Sequence, residues 1–190
     1  MKSSDIEMAN NLRSKELELE LKKIIETKKV IKGEVLQKQG DLKIKSYYVK
    51  KGLLRSYTID DKGKEHIFIF APEGWIVSDM ESQTKGSPAQ LFIDALEDTE
   101  LEVIEKNILD QTSSFTSTEQ TKAHTLNLVN RISTLQKRVL LLMSASAKER
   151  YKDFLITYPN IIQRVPQKMV ASYLGITPEA LSKIRGEMLK

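Results

Sequence analysis

The 190-residue chain contains no cysteine. This excludes disulfides, thiolate zinc sites, Cys-ligated iron–sulfur clusters and a Cys nucleophile within the sequence. Its two histidines, His66 and His124, are far apart, and we interpret each as a surface or packing residue. A jelly-roll enzyme of the cupin type would need several His and a carboxylate on neighbouring strands. We therefore predict no metal, no cofactor and no catalytic residue.

Long apolar segments are also missing. No apolar run approaches the roughly 20 residues that a membrane-spanning helix requires. The N-terminus, which begins Met1-Lys-Ser-Ser-Asp, lacks the apolar core of a signal peptide. These two absences predict a cytoplasmic protein without a membrane partner.

Positive charge is scarce in the first two thirds of the chain and concentrated in the last third. Residues 1–130 carry 19 Lys and Arg against 22 Asp and Glu, whereas residues 131–190 carry 11 against 4. A basic module attached to a mildly acidic remainder is typical of proteins that bind a polyanion.

The basic segment ends in a pattern of two short helices joined by a tight turn, over Pro166–Lys190. Pro166 suits a first helical position, and Gly175 can end that helix in the left-handed conformation. Thr177-Pro178-Glu179 is a start signal for the second helix. This pattern predicts a helix-turn-helix whose second helix enters a DNA major groove; the alternative is an ordinary αα-hairpin inside a bundle. The predicted inner stripe consists of Val170, Ala171, Leu174, Ile176, Leu181, Ile184 and Met188.

From Lys28 to about Ile104 the chain consists of short β-type runs separated by turn signals. Gln39-Gly40-Asp41 predicts one turn, and Asp60-Asp61-Lys62-Gly63 predicts a hairpin loop. The sequence predicts no helix or strand for the polar segment Ser78–Pro88. Many short strands at regular spacing predict an antiparallel sandwich or jelly roll.

A long helix is predicted from Thr118 to about Met143, and further helices at about Leu17–Ile25, Asn107–Phe115 and Ala145–Tyr158. The long helix carries a heptad seam for a second copy of the chain, with spacings of 4, 3, 4 and 3. We expect its second apolar stripe (Leu126, Val129, Leu140, Met143) to pack on the protomer's own domains; the alternative is a helix buried on two sides of a monomer. The heptad seam consists of Leu128, Ile132, Leu135, Val139 and Leu142.

The predicted fold class is therefore α+β, in three parts. Residues 1–116 form an antiparallel β jelly roll, residues 117–144 a long dimerisation helix, and residues 145–190 the helix-turn-helix domain.

In this order, the parts resemble the Crp/Fnr family of transcription regulators. The resemblance covers nearly the whole chain from about Leu21. It implies a cyclic-nucleotide-binding-like sensor roll and a homodimer that presents two recognition helices to a pseudo-palindromic operator. It also implies double-stranded DNA and RNA polymerase as partners. Besides the helix-turn-helix, its marks are Gln39-Gly40-Asp41, Tyr48–Gly52 with Leu53 and Arg55, Pro72-Glu73-Gly74, and Ala95–Leu101.

One departure concerns the effector. Members that bind cyclic nucleotides carry Gly-Glu-Leu and then an Arg, which meets the cyclic phosphate in a charge-assisted bond. Here Gly74 is followed by Trp75-Ile76-Val77, and no Arg occurs between Arg55 and Arg131. We therefore expect no ordinary capture of cyclic AMP, and either a different small effector or a roll that is only a scaffold. The predicted effector pocket consists of Trp75, Ser78, Asp79 and Gln90; for Trp75 the alternative is a core anchor.

The family's base-reading positions fall on Pro178, Glu179 and Lys183. Glu179 is expected to accept from a cytosine amino group, and Lys183 to donate to guanine O6 and N7; for Glu179 the alternative is a partner of the helix dipole. The competing function is a dimeric ligand-binding or interaction module that does not bind DNA. Ser182 and Arg185 are expected to reach bases or backbone, and Gln167, Lys168 and Thr177 to position the phosphate backbone.

Overall fold

Residues 26–104 form a β sandwich (the β roll) in the computed structural model, which describes residues 26–104 and 132–188. Two four-stranded sheets with antiparallel pairing make up the roll. The predicted antiparallel jelly roll is therefore confirmed. Its strands are β1 (Glu26–Val30), β2 (Val35–Gln37), β3 (Ser46–Lys51), β4 (Leu54–Ile59), β5 (Glu65–Ala71), β6 (Ile76–Val77), β7 (Phe92–Ala95) and β8 (Thr99–Ile104).

The strand order is β1-β8-β3-β6 in the first sheet and β2-β7-β4-β5 in the second. In the second sheet Tyr57 on β4 lies opposite Ile67 on β5 and Phe92 on β7. The predicted hairpin loop joins β4 to β5. There the Asp60 carboxylate accepts the N–H groups of Lys62 at 3.0 Å and Lys64 at 2.9 Å. Strand β5 forms the outer edge of this sheet.

The inner faces of the two sheets enclose one apolar core. Alternate residues of β3, β7 and β8 point into it, as the period of a half-buried strand requires. This core contains Val30, Tyr47, Val49, Leu54, Ala71, Val77, Ile93, Ala95, Leu101 and Val103.

A short helix, α1 (Met80–Lys85), lies in the polar segment that received no element from the sequence. The Asp79 side chain caps its first turn, and Gly86 ends it with φ of 67°. Its sequence carries no apolar stripe, so periodicity could not reveal it.

Residues 132–188 form five helices joined by short connections. α2 covers residues 132–144, within the predicted long helix. The Ser146 and Glu149 side chains form a capping box before α3. Pro166 is the N-cap of α5 rather than its first residue, because its ψ of 143° is extended. The other helices are α3 (Ala147–Thr157), α4 (Ile161–Arg164), α5 (Gln167–Leu174) and α6 (Pro178–Met188).

The face that α2 turns to its own protomer differs from the prediction. Leu140 is 56% exposed and Met143 is 80% exposed, so these two do not pack on the protomer's own domains. The more buried positions are Thr134, Arg138 and Leu141. A central arginine breaks the apolar pattern of that face, which is why an apolar stripe did not locate it. Leu126, Leu128, Val129, the predicted helices at 17–25 and 107–115, and the boundary at 116/117 lie outside the described residues.

The helix-turn-helix domain packs on the outer face of the second sheet, and the two share a hydrophobic core (the shared core). Phe70 on β5 meets the Tyr158 ring edge-on at a centroid distance of 5.9 Å. Aromatic pairs of this geometry add to the energy of area burial. From the roll the shared core takes Leu53, Tyr57, Ile67 and Phe70, and from the helices Tyr151, Phe154, Tyr158, Ile161, Val165, Val170, Ala171, Leu174, Leu181 and Ile184.

Candidate nucleic-acid interface

Helices α5 and α6 form the predicted helix-turn-helix. Gly175 adopts φ of 67° at the corner, where its N–H bonds the carbonyls of Ala171 and Ser172. The Thr177 hydroxyl accepts the N–H of Ala180 at 3.2 Å and so caps α6. The inner stripe is buried at Val170, Ala171, Leu174, Leu181 and Ile184, whereas Ile176 is partly buried and Met188 is 37% exposed.

The opposite face of α6 is open to solvent. Glu179, Ser182 and Lys183 follow at helical i, i+3 and i+4 spacing, so they share one face. Pro178 is also exposed, and Arg185 is half-buried beside them. Gln167 and Lys168 are exposed in the first turn of α5, and Thr177 precedes α6. All eight predicted DNA-contacting residues thus lie on the helix-turn-helix, and four of them lie on the exposed part of α6.

The Glu179 carboxylate has partners within the protein. Hydrogen bonds from its own backbone N–H and from the Thr177 hydroxyl lower the pKa of Glu179. In the free protein this side chain therefore stabilises the start of α6, which is the alternative role left open by the sequence. Reading a cytosine would require it to exchange these bonds.

Asp79 and Gln90, two of the predicted pocket residues, lie side by side. The buried Asp79 carboxylate accepts the N–H groups of Gln90 at 2.6 Å, Leu91 at 3.0 Å and Ser82 at 3.3 Å. These bonds tie the residues before β7 to the start of α1. Ser78 lies nearby, and its hydroxyl donates to Gln83 Oε1 at 3.1 Å.

Trp75 packs between the roll and the helices. Its ring is 5.5 Å from the ring of Tyr158, and it packs against both hydrophobic cores. Trp75 therefore joins the roll to the helices, as the core-anchor alternative states. An effector site at these four residues stays a prediction.

Arg55 is the sole arginine of the described roll, and carboxylates occupy its guanidinium. It donates to both oxygens of Asp94, at 2.8 and 2.9 Å, and to Glu65 at 2.5 Å. A bidentate pair of this kind uses the donor geometry that a phosphate would need.

The described residues of the heptad seam are exposed in the single protomer. Ile132 is 64%, Leu135 38%, Val139 54% and Leu142 43% exposed. Leu128 is outside the described residues. Four apolar side chains in a row on one face of a helix are typical of an association surface.

The sequence did not indicate three polar side chains that tie the helices to the roll: Arg138, Arg164 and Ser172. Each one bonds to groups at least 67 positions away in the chain. The sole local signal is a charged or hydroxyl residue within a helix that is otherwise packed.

Metal sites and membrane-spanning helices are both absent from the part of the chain that the structure describes. Residues 26–104 and 132–188 hold no group of three or more His, Cys, Asp or Glu side chains that could bind a metal ion. Within the same ranges, no helix has the length and apolar content to cross a bilayer.

Comparison with known proteins gives the family. The model of the cyclic nucleotide-binding domain matches residues 27–114. The Fumarate and nitrate reduction regulatory protein of Vibrio cholerae is 32% identical over 187 residues, covering 90% of this chain and 72% of that protein. The Anaerobic regulatory protein of Aggregatibacter actinomycetemcomitans is 31% identical, covering 90% and 70%.

Solved structures share the fold. FixK2 from Bradyrhizobium japonicum superposes with a TM-score of 0.71 at 19% identity, over 86% of this chain and 84% of that one. A CRP/FNR-family transcriptional regulator from Thermus thermophilus gives a TM-score of 0.66 at 20% identity, over 86% of each chain. The chain joins a β roll to a helix-turn-helix and has relatives above 30% identity over most of their length. It therefore belongs to the Crp/Fnr family of DNA-binding transcription regulators.

Proposed function

We propose that this regulator acts as a homodimer and binds a pseudo-palindromic operator through α6 of each protomer. The observation that carries the proposal is the division of α6 into two faces. Leu181 and Ile184 are buried in the shared core, while Ser182 and Lys183 are exposed. A helix held in this way presents its polar face to a major groove.

Lys183 is the proposed reader of guanine, because its ammonium can donate to O6 and N7. Glu179 is the proposed acceptor for a cytosine amino group, once it leaves its bonds at the start of α6. Pro178 has no N–H to donate. We therefore propose a half-site that differs from the one read by cyclic-AMP-type members, which carry an Arg at this position. Gln167, Lys168, Thr177, Ser182 and Arg185 are the proposed phosphate or base contacts.

The exposed side chains of Ile132, Leu135, Val139 and Leu142 support the dimer. Burial of a Val or Leu side chain is worth about 1.5–3 kcal/mol relative to its exposed state. A parallel second copy of α2 would cover these residues on both protomers at once. A symmetric pair of recognition helices then matches a symmetric operator.

We also propose that cyclic AMP is not the effector. Arg55 is occupied by Asp94 and Glu65, and the buried carboxylate of Asp79 lies just beyond the turn at Gly74. A cyclic phosphate would meet negative charge without a guanidinium. Control by another small effector, contact with RNA polymerase and action in the cytoplasm are further parts of the proposal.

Selection of bound DNA from a random duplex pool tests the proposal. We expect enrichment of two inverted half-sites whose centres are one helical turn apart, about 34 Å. A single half-site would contradict the dimer, and no enrichment at all would contradict specific DNA binding.

A second candidate is a dimeric interaction module that does not bind DNA. The exposed heptad seam favours it, and so do the hydrogen bonds that the Glu179 carboxylate accepts within the protein. Neither feature requires DNA. Binding to random duplex DNA at several salt concentrations separates the two functions. Neutralised phosphates give a steep negative slope of log affinity against log salt, whereas the module would give no binding to measure.

A further inference from the structure

Strand β5 is an edge strand, and an edge leaves backbone N–H and C=O groups without a partner strand. Two side chains from the helices bond these groups. The Ser172 hydroxyl on α5 accepts the N–H of Ile67 at 3.0 Å and donates to the Glu65 carbonyl at 2.8 Å. Arg138 on α2 donates to the Ile67 carbonyl at 3.0 Å and to the Phe68 carbonyl. Helices α2 and α5 thus both bond the backbone of β5 at the edge of the roll.

Arg138 also bonds the helix-turn-helix directly. Its Nη2 donates to the Tyr173 carbonyl at 3.2 Å, just before the corner at Gly175. Its guanidinium lies 4.0 Å from the centroid of the Tyr173 ring, within the range of a cation–π contact. One planar group with five donors therefore joins α2, β5 and α5, which a lysine could not do with the same geometry.

The shared core holds the helix-turn-helix on the roll, and this junction links both of them to α2. Residues 145 and 146 are the covalent link between α2 and α3, and a two-residue joint alone does not fix the angle between these helices. Noncovalent contacts fix it, among them those of Arg138 and the Lys137–Asp153 ion pair. Two recognition helices must meet half-sites about 34 Å apart. The separation is fixed when each domain is fixed to its own α2.

We propose that Arg138 is a positioning residue for DNA binding, which sets the separation of the two recognition helices and thereby the half-site spacing that the dimer accepts. The proposal rests on the dimer put forward above. Arg138 touches no DNA in this role; it acts through Tyr173 and the end of α5.

The absence of cysteine permits a direct measurement, since one introduced cysteine gives one label per protomer. Glu187→Cys places a spin label on the exposed surface of α6. Pulsed dipolar spectroscopy of the full-length dimer then reports the distance between the two recognition helices. We expect a narrow distribution of this distance in the parent and the same distribution with Ser133→Ala on the exposed face of α2. With Arg138→Met we expect a broad distribution.

DNA affinity supplies the second readout, on operators with the selected spacing and with one base pair added or removed. If the competent orientation falls to about a tenth of the population, Arg138→Met binds the selected spacing about tenfold more weakly. It should also discriminate less between spacings. A residue with a merely structural role would lower all affinities and leave the spacing preference intact.

An equally narrow distribution and an unchanged spacing preference in Arg138→Met would overturn the proposal. If that variant does not fold, Arg138→Lys replaces it, because it keeps the charge and loses the planar donors; parent behaviour in Arg138→Lys would likewise overturn the proposal. A parent without any dipolar signal would instead refute the dimer, which distinguishes the two failures.

Discussion

Lys183 is exposed on the outer face of α6, and its ammonium is the proposed donor to guanine. Loss of a base-reading side chain costs about 1–3 kcal/mol and relaxes specificity at one base pair. We expect Lys183→Ala to lose this much affinity on the selected operator and much less on random DNA. Fluorescence anisotropy measures both, with Lys62→Ala in the β4–β5 loop as the control. Equal losses for the two variants would argue against base reading.

Asp79 acts within the protein, since its buried carboxylate accepts three backbone N–H groups. An amide at this position turns one acceptor oxygen into a donor and leaves buried N–H groups without a partner. We expect Asp79→Asn to lower the free energy of unfolding by about 1–3 kcal/mol. Urea denaturation measures this change. Asp61→Asn, at an exposed loop position, should leave the midpoint in place; equal midpoints for both variants would contradict the assigned role.

At the residue scale, the sequence predicts those turns and caps that are formed by residues close together in the chain. Gly175 and Thr177 could be placed at a corner and a cap because the turn chemistry lies within a few positions. Apart from the local cap that Asp79 gives to Ser82, the roles of Asp79 and Arg138 could not be interpreted in this way. Their partners, Leu91 and Ile67, become neighbours after the whole roll has formed.

At the scale of elements, Arg164 ties α4 to two turns of the roll. Its guanidinium bonds Glu73 in the turn before β6 at 2.9 and 3.0 Å, and Glu97 in the turn before β8 at 2.6 and 3.2 Å. The hydrogen bond from Arg164 lowers the pKa of Glu73 from 4.5 to about 2. The ionised form is thus the one that the folded state prefers.

This preference gives stability a pH dependence with a definite sign. Because the pKa of Glu73 is lower in the folded state, its contribution is present above pH 4.5 and is lost as the pH falls towards 2. We expect Arg164→Met to cost about 1 kcal/mol at neutral pH, since solvent screens a side chain that is 45% exposed. The difference from the parent should shrink at about pH 3.

Urea denaturation of the parent and of Arg164→Met at both pH values checks this expectation. Gln163→Met, at the exposed neighbouring position on α4, is the matched control and should show no such trend. A difference between parent and Arg164→Met that stays constant with pH would rule out the ion pair as its source.

The segment from Gly74 to Gln90 contains no arginine to meet a cyclic phosphate, and its Asp79 carboxylate is buried. Calorimetric titration with cyclic AMP should therefore show no saturable heat. A cyclic-nucleotide-binding member of the family, titrated in the same buffer, controls for the measurement. Saturable binding to the present chain would mean that another group replaces the missing arginine.

Helices and strands with a clear hydrophobic periodicity could be predicted from the sequence, and those without it could not. Strands that bury alternate residues, such as β8 with its buried Leu101 and Val103, show this pattern in the sequence. α1 has no such pattern because its polar residues make local caps rather than a packed face. The packing face of α2 also escaped prediction, since a guanidinium rather than an apolar stripe makes the contact.

At the scale of the whole molecule, we propose that the heptad seam carries the association. Val139 is 54% exposed in the protomer, so a charge there costs the single chain little. In the dimer, two carboxylates would face each other in an apolar environment. We expect Val139→Glu to be folded and monomeric by sedimentation and circular dichroism, while Ser133→Glu stays dimeric. A dimeric Val139→Glu protein would move the interface elsewhere.

Trp75 is the only tryptophan in the chain, and it lies where the roll meets the helices, with the ring of Tyr158 at 5.5 Å. Its indole is therefore a built-in optical probe of that junction. Separation of the helix-turn-helix from the roll would wet the ring and shift its emission to the red, whereas movements confined to the dimer seam would leave the spectrum alone. The unlabelled protein can thus show whether DNA, salt or a small molecule alters the junction between its two halves.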